Sequence, residues 1–322
     1  VVIGAIVAAN CQTVPLFTGA PAFTMDISSA AVAPNSTLTV QWLQANGAFG
    51  GSTTQGKFRV DFSFHLLKAD CNTRRVPIIR PPGRDYYRPD CDANLAAFPL
   101  PVMGATEGRT NYPAVCTDDC HIVVHDTSAN LVYESYISRF NGSHLTSQCI
   151  VVWAMDHPYP ATLRGEQCTS CDAAGFPIAP LLFTATELKA GEINHPIRFI
   201  LPNSAMRRGF YVRPATHAGG PTATDPNAPI YGTRFRLKAS KDISNLKPGS
   251  QVVARALKKY GMLLSDGGNI ALTASSDMFS SDKWTDVGFT THDLNTIVPT
   301  DFEVIAHPPP IVLTYDCVPN NI

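Results

Sequence analysis

Alternation of apolar and polar residues with period two runs through much of the chain and predicts β-strands. It is cleanest over residues 57–67 (KFRVDFSFHLL), where Phe58, Val60, Phe62, Phe64 and Leu66 fall on one face and Lys57, Arg59, Asp61, Ser63 and His65 on the other. This reads as an antiparallel strand with one buried side. Residues 38–43 (LTVQWL) alternate more roughly and also read as a strand, joined to the first by the glycine-rich NGAFGGSTTQG. Further strands are predicted at 121–124, 131–137, 149–155, 197–201, 209–213, 233–237, 302–305 and 311–315. MLLSDGGNIALT reads as a hairpin about a glycine turn.

Helical periodicity is rare. Residues 250–260 (SQVVARALKKY) place Val252, Val253, Ala256, Leu257 and Tyr260 on one face, with Ser250 as the cap, Lys258 and Lys259 against the dipole and Gly261 as the stop. A second, short helix is expected around 293–297. Between 70 and 119 the pattern gives way to Pro, Arg, Asp and Gly, which predicts an irregular insertion pinned by Cys71, Cys91, Cys116 and Cys120. Many strands without a strand–helix alternation predict a mainly β fold: a β-sandwich or jelly roll with long disulfide-pinned loops and one or two short helices. Residues 1–322 are expected to form a single domain. No glycine triplet sits between a strand and a helix, which excludes a dinucleotide-binding fold.

Composition adds the setting. Nine cysteines and the N-x-S/T sequons at Asn35 and Asn141 point to a secreted, glycosylated chain in an oxidising, extracellular space. Cys116 with Cys120 and Cys149 with Cys168 are the expected disulfides, and the odd count leaves at least one thiol free, removed or paired between chains. The apolar opening VVIGAIVAA, residues 1–9, reads either as a signal-peptide remnant or as an N-terminal strand. A net charge of −1 without a basic block sets nucleic acid aside, and no apolar run is long enough to span a membrane.

The candidate chemistry is concentrated in 149–180 (CIVVWAMDHPYPATLRGEQCTSCDAAGFPIAP), where a strand runs into a long loop rich in charged and hydroxyl groups. Paired carboxylates suit general acid and base work on a glycosidic bond. Among Glu107, Asp126, Glu134, Asp156, Glu166 and Asp172, the pair favoured is Glu134, inside the apolar VYESY, and Asp172, just before Ala-Ala-Gly. His217, opening a glycine-rich loop, is a candidate base or substrate contact, while Arg164, Ser170 and Asp156 are candidate substrate-binding groups. Tyr86, Tyr87, Trp153, Tyr159 and Trp284 could stack on sugar rings. The alternatives are solvated surface acids and hydrogen-bonded structural histidines. No GxSxG or HExxH motif is present, and C-x-x-C at Cys168 and Cys171 reads as disulfide chemistry rather than a zinc site. No cofactor is expected, though Asp90, Asp92 and Asn94, aided by Asp118 or Asp119, leave a loose calcium site open.

The blocks CTSCDAAGFPIAPLLFT, RFILPN, YVRPATHAG and VVARALKKYGMLLSDGGNIALTASSD resemble a group of secreted, largely uncharacterised microbial proteins in which similar blocks follow one another. The resemblance covers residues 118–305 and implies one continuous secreted unit; no activity or catalytic residue follows from it. The residues themselves favour an extracellular carbohydrate-active enzyme, a polysaccharide hydrolase with a loop-lined cleft and a glycan as partner. The alternative is a non-catalytic secreted glycoprotein that binds glycans, adheres or self-assembles, with the apolar N-terminal run completing a neighbour's sheet.

Overall fold

Ile197–Leu201 (IRFIL) is buried at every position, and a strand with no solvent face needs neighbours on both sides. It has them: Met262–Gly267 runs parallel to it on one flank, and Leu272–Ser275 pairs antiparallel on the other. The structure, a computed structural model, describes residues 15–81 and 85–320. Val60–Phe64 forms one edge of this six-stranded sheet, and Arg234–Leu237 followed by Phe302–Val304 forms the other. The hairpin expected from MLLSDGGNIALT is therefore absent. Its two strands lie on opposite sides of Ile197–Leu201, because the fully apolar strand between them satisfies both.

The alternating run at 57–67 is β structure in two pieces. Val60–Phe64 belongs to the six-stranded sheet, and after His65 the chain enters a four-stranded sheet as Leu66–Ala69, beside Ile122–Asp126, Leu131–Tyr136 and Cys149–Ala154. Both pieces pair in parallel with their neighbours, where an antiparallel strand was expected. The four-stranded sheet is covered on both faces. Leu66, Val123, Val132, Val151 and Trp153 enter the main core shared with the six-stranded sheet, while Leu67, Ile122, Val124, Tyr133 and Ile150 enter a second core. The short strands Arg75–Ile79, Ala97–Pro99, Arg139–Phe140 and Leu145–Thr146 close that second core with Val76, Phe98 and Leu145. The fold is thus mainly β and sandwich-like, and the insertion at 70–119 carries two strands of its own.

Three α-helices lie among the described residues: Ser36–Ala45, Ala185–Ala190 and Pro248–Lys259. The first corrects the strand expected at 38–43. Ser36, Thr39, Val40 and Leu43 are its buried positions, a helical spacing, whereas Leu38, which alternation would have buried, is 54 % exposed. Pro248–Lys259 begins two residues before the predicted cap. Pro248 occupies its first turn, Ser250 is buried within the helix, and Gly261 follows it at φ +71°. Residues 293–297 form turns rather than a helix.

Among the described residues three disulfides pin the loops: Cys91–Cys149, Cys116–Cys120 and Cys168–Cys317. The expected Cys149–Cys168 pairing is corrected, since each of the two bonds elsewhere, to a segment distant in sequence. Cys71, exposed, and Cys171, buried, have no disulfide partner among the described residues. The apolar run 1–9 and Cys11 lie outside the described residues. No helix among the described residues is long and apolar enough to cross a membrane.

Candidate functional site

A concavity of about 830 Å³ opens at the seam between the six- and four-stranded sheets. Three loop segments meet there: residues 86–90 from the insertion, 169–173 from the central loop, and 217–220 from the glycine-rich loop. Close packing holds these loops. A Cβ at Gly219 would stand 2.8 Å from the Tyr231 hydroxyl, and one at Gly175, itself at φ +78°, would stand 2.0 Å from Thr216 Oγ1.

The floor is a buried charge network centred on Arg198. This residue sits in the apolar strand Ile197–Leu201 and is almost wholly buried, a position an arginine holds only when paired. Its Nε donates to Asp172 Oδ2 (2.8 Å), one Nη to Asp266 Oδ2 (2.9 Å) and the other to Thr273 Oγ1 (3.2 Å), while its guanidinium lies over the Phe64 ring. Burial pushes the Asp172 carboxyl up, to about 7, against the pull of Arg198, and the same two carboxylates hold the Arg198 guanidinium above its ordinary value.

One wall is built by Asp119, His121 and Tyr136. Both ring nitrogens of His121 face acceptors: Nδ1 donates to Glu107 Oε2 (2.6 Å) and Nε2 to the Cys171 carbonyl (2.9 Å), so the ring is an imidazolium. Burial works against that charge, but Glu107 outweighs it and lifts His121 to about 9. Glu107 Oε1 in turn accepts from Ser63 Oγ (3.1 Å). Asp119 reaches solvent on the cleft wall, yet the surrounding protein still raises its pKa by desolvation, with Glu107 and Asp266 adding to the rise and His121 opposing it. The opposite wall carries Asp266, Asn203, Tyr231 and His217. His217 Nδ1 donates to the Ala173 carbonyl (2.9 Å), and burial lowers its pKa, leaving a neutral ring with Nε2 as an acceptor. Tyr315 closes the rim, its ring 5.4 Å from that of His217.

Of the residues favoured from sequence, His217 and Ser170 line the cleft. Ser170 Oγ acts on the loop itself, donating to the Phe176 carbonyl (2.7 Å). Asp172 lies beneath the floor with its side chain sealed from solvent. Glu134 is farther in. It shares the main-core face of its strand with Val132 and accepts the N–H groups of Ile178 (2.6 Å) and Ala179 (3.0 Å) and the Trp153 indole N–H (3.2 Å). It clips a loop to the sheet and does not line the cleft. Arg164 pairs with Asp92 in a separate groove, beside Asn320. Asp156 is exposed in a turn. Asp126 pairs with Arg75, and Glu166 with Arg213 and Tyr211.

The aromatic expectations divide similarly. Tyr86 and Tyr87 line the cleft, whereas Trp153 and Trp284 are core residues and Tyr159 borders a smaller apolar groove. Of the oxygens proposed for calcium, one of Asp92 accepts from Arg164, one of Asp90 from the Thr169 N–H, and one of Asp118 from Arg109. Cys116, Cys120 and Cys168 are in disulfides, so no thiolate site for zinc forms from them.

Sequence reasoning missed Asp266 and Arg198. Asp266 was hidden in a glycine-turn reading, and Arg198 in a strand; a charge inside IRFIL, with no alternation to carry it outward, was the available signal.

No protein-family model, curated protein or solved structure matches the chain.

Proposed function

We propose that the protein is an extracellular carbohydrate-active enzyme that hydrolyses glycosidic bonds in this cleft, with Asp119 as general acid and Asp266 as its carboxylate partner. The observation that carries this reading is the pair itself. Two carboxylates in unlike environments face one cavity, one crowded and raised in pKa, the other ion-paired with Arg198 at 2.9 Å. That asymmetry is what acid and nucleophile or base roles require. Asp119 would protonate the leaving oxygen, and Asp266 would either attack the anomeric carbon or activate a water for that attack. Tyr87, Tyr136 and Tyr315, which keep exposed ring surface along the cavity, supply flat faces for sugar rings. Secretion is supported by the three disulfides, and glycosylation by the exposure of Asn35 and Asn141.

The test is turnover on a panel of polysaccharides. Asp119→Asn and Asp266→Asn are each expected to lower kcat at least about a hundredfold. Asp119→Asn should leave the melting temperature nearly unchanged, since that side chain is exposed. Wild-type activity should fall as pH rises through the raised pKa of Asp119, because the acid must carry its proton. Saccharide binding without any hydrolysis by the wild type would instead establish the non-catalytic, glycan-binding reading.

A further inference from the structure

Building on the glycan-cleft reading, we propose that the saccharide taken by this cleft carries free ammonium groups: an oligosaccharide of hexosamine whose amino groups are not acetylated. The first support is the balance of charge. Asp90, Asp119 and Asp266 face the cavity, against Arg88 and His121 of opposite sign. The charge of His121 is already met by Glu107 at 2.6 Å, and that of Arg198, beneath the floor, by Asp172 as well as Asp266. Arg88 lies with its guanidinium over the Tyr86 ring, 5.5 Å from the centroid. With Asp119 ionised, above its raised pKa, the open face of the cleft is therefore electronegative. A neutral glycan gains nothing from that field, and an acidic one is repelled.

The second support is independent of the carboxylates. Tyrosine rings line the cavity on both sides, with Tyr87 and Tyr136 6.1 Å apart on one wall and Tyr315 against His217 on the other. Their negative faces attract cations. His217 contributes the matching polarity, since a neutral ring with its proton on Nδ1 presents an acceptor and no charge to an ammonium donor. The carboxylates also converge on one space rather than lying along a surface. Asp119 and Asp266 both raise the Tyr136 hydroxyl, behind the larger effect of its burial, while Asp90 and Asp266 both act on His217 across the cavity. A void of about 830 Å³ is far larger than a single amine needs, so the cation must belong to an extended ligand.

The experiment is calorimetric titration of the full chain with a glucosamine oligosaccharide, its N-acetylated twin of equal length, a neutral glucan oligosaccharide, a uronic-acid oligosaccharide and spermidine. The free-amine sugar is expected to bind about tenfold or more tighter than its acetylated twin, and the margin should shrink at about 0.5 M salt. Asp90→Asn is expected to shrink the margin; its side chain reaches solvent, so thermal melting verifies folding independently, and an unchanged margin in the folded variant overturns the amine assignment. Equal or tighter binding of the acetylated, neutral or acidic sugar overturns the amine assignment and leaves the glycan cleft standing. Spermidine binding as tightly as the amino sugar overturns the saccharide part. Binding of no saccharide overturns both this assignment and the reading on which it rests.

Discussion

Glu134 is an acid buried where no solvent reaches, and its environment fixes its titration. Burial raises its carboxyl from 4.5 to about 7, against three N–H donors that favour the charged form. Since the folded pKa lies above the unfolded one, the native chain binds the proton more tightly. Its stability contribution is full below about pH 4.5 and declines as pH rises towards about 7, with a slope of at most about 1.4 kcal/mol per pH unit. Glu134→Gln removes that slope. Its amide oxygen can still accept from Ile178 and Ala179, but its NH₂ faces the Trp153 N–H, a loss of about 1 kcal/mol. The variant should melt below the wild type near pH 4.5 and close that gap, or reverse it, by pH 7. A gap that stays constant across this window would show that the native carboxyl does not titrate there. Strand alternation made this burial legible, since Val132, Glu134 and Tyr136 must share a face. It could not show that the open cleft begins only past the strand's end, at Tyr136, because that depends on loops brought in from three distant segments.

Among elements, the C-terminal strap 311–320 matters most to the cleft. Ile311–Val312 pairs with Phe210–Tyr211, and Val318–Pro319 with Gly165–Glu166. Between them the Gln167 side chain donates to the Val312 carbonyl (3.0 Å) and accepts the Thr314 N–H (2.9 Å). These pairings are short, so the Cys168–Cys317 bond is the principal tether of Tyr315 at the rim. It spans 149 residues, for which loop closure alone stabilises by about 5 kcal/mol, whereas Cys116–Cys120 spans 4 and constrains the unfolded chain by about 2 kcal/mol. The double variant Cys168→Ser/Cys317→Ser should therefore lower the melting temperature more than Cys116→Ser/Cys120→Ser, and it should weaken saccharide binding by releasing Tyr315. Equal losses from both would show that the strap is not what holds the rim. Helices and strands with a strong local pattern were legible, as in Pro248–Lys259. Strand partners were not: nothing local in KFRVDFSFHLL announces a change of sheet at His65, and nothing in MLLSDGGNIALT announces that a third strand, sixty residues upstream, comes between its halves.

At the scale of the whole molecule the cleft belongs to neither sheet. Asp266 is the last residue but one of Met262–Gly267 in the six-stranded sheet, and Tyr136 ends Leu131–Tyr136 of the four-stranded one. Phe64 joins them from within: it is the last residue before the chain crosses between sheets, and its ring carries Arg198 at 5.2 Å and His121 at 5.1 Å. A ligand seated between the two strand ends therefore restrains both sheets, which otherwise meet through the main core. At a hundredfold excess over Kd it should stabilise the native chain by about 2.7 kcal/mol, and the gain should be shared across the seam. Hydrogen exchange with and without the amino sugar tests this. Added protection is expected both in the segment around Asp119–Tyr136 and in that around Asp266–Gly268, with little change in the second core around Val76 and Phe98, which lies on the far face of the four-stranded sheet. Protection confined to one side of the seam would mean that the two carboxylates do not address the same ligand, and the acid–partner assignment would fall with it.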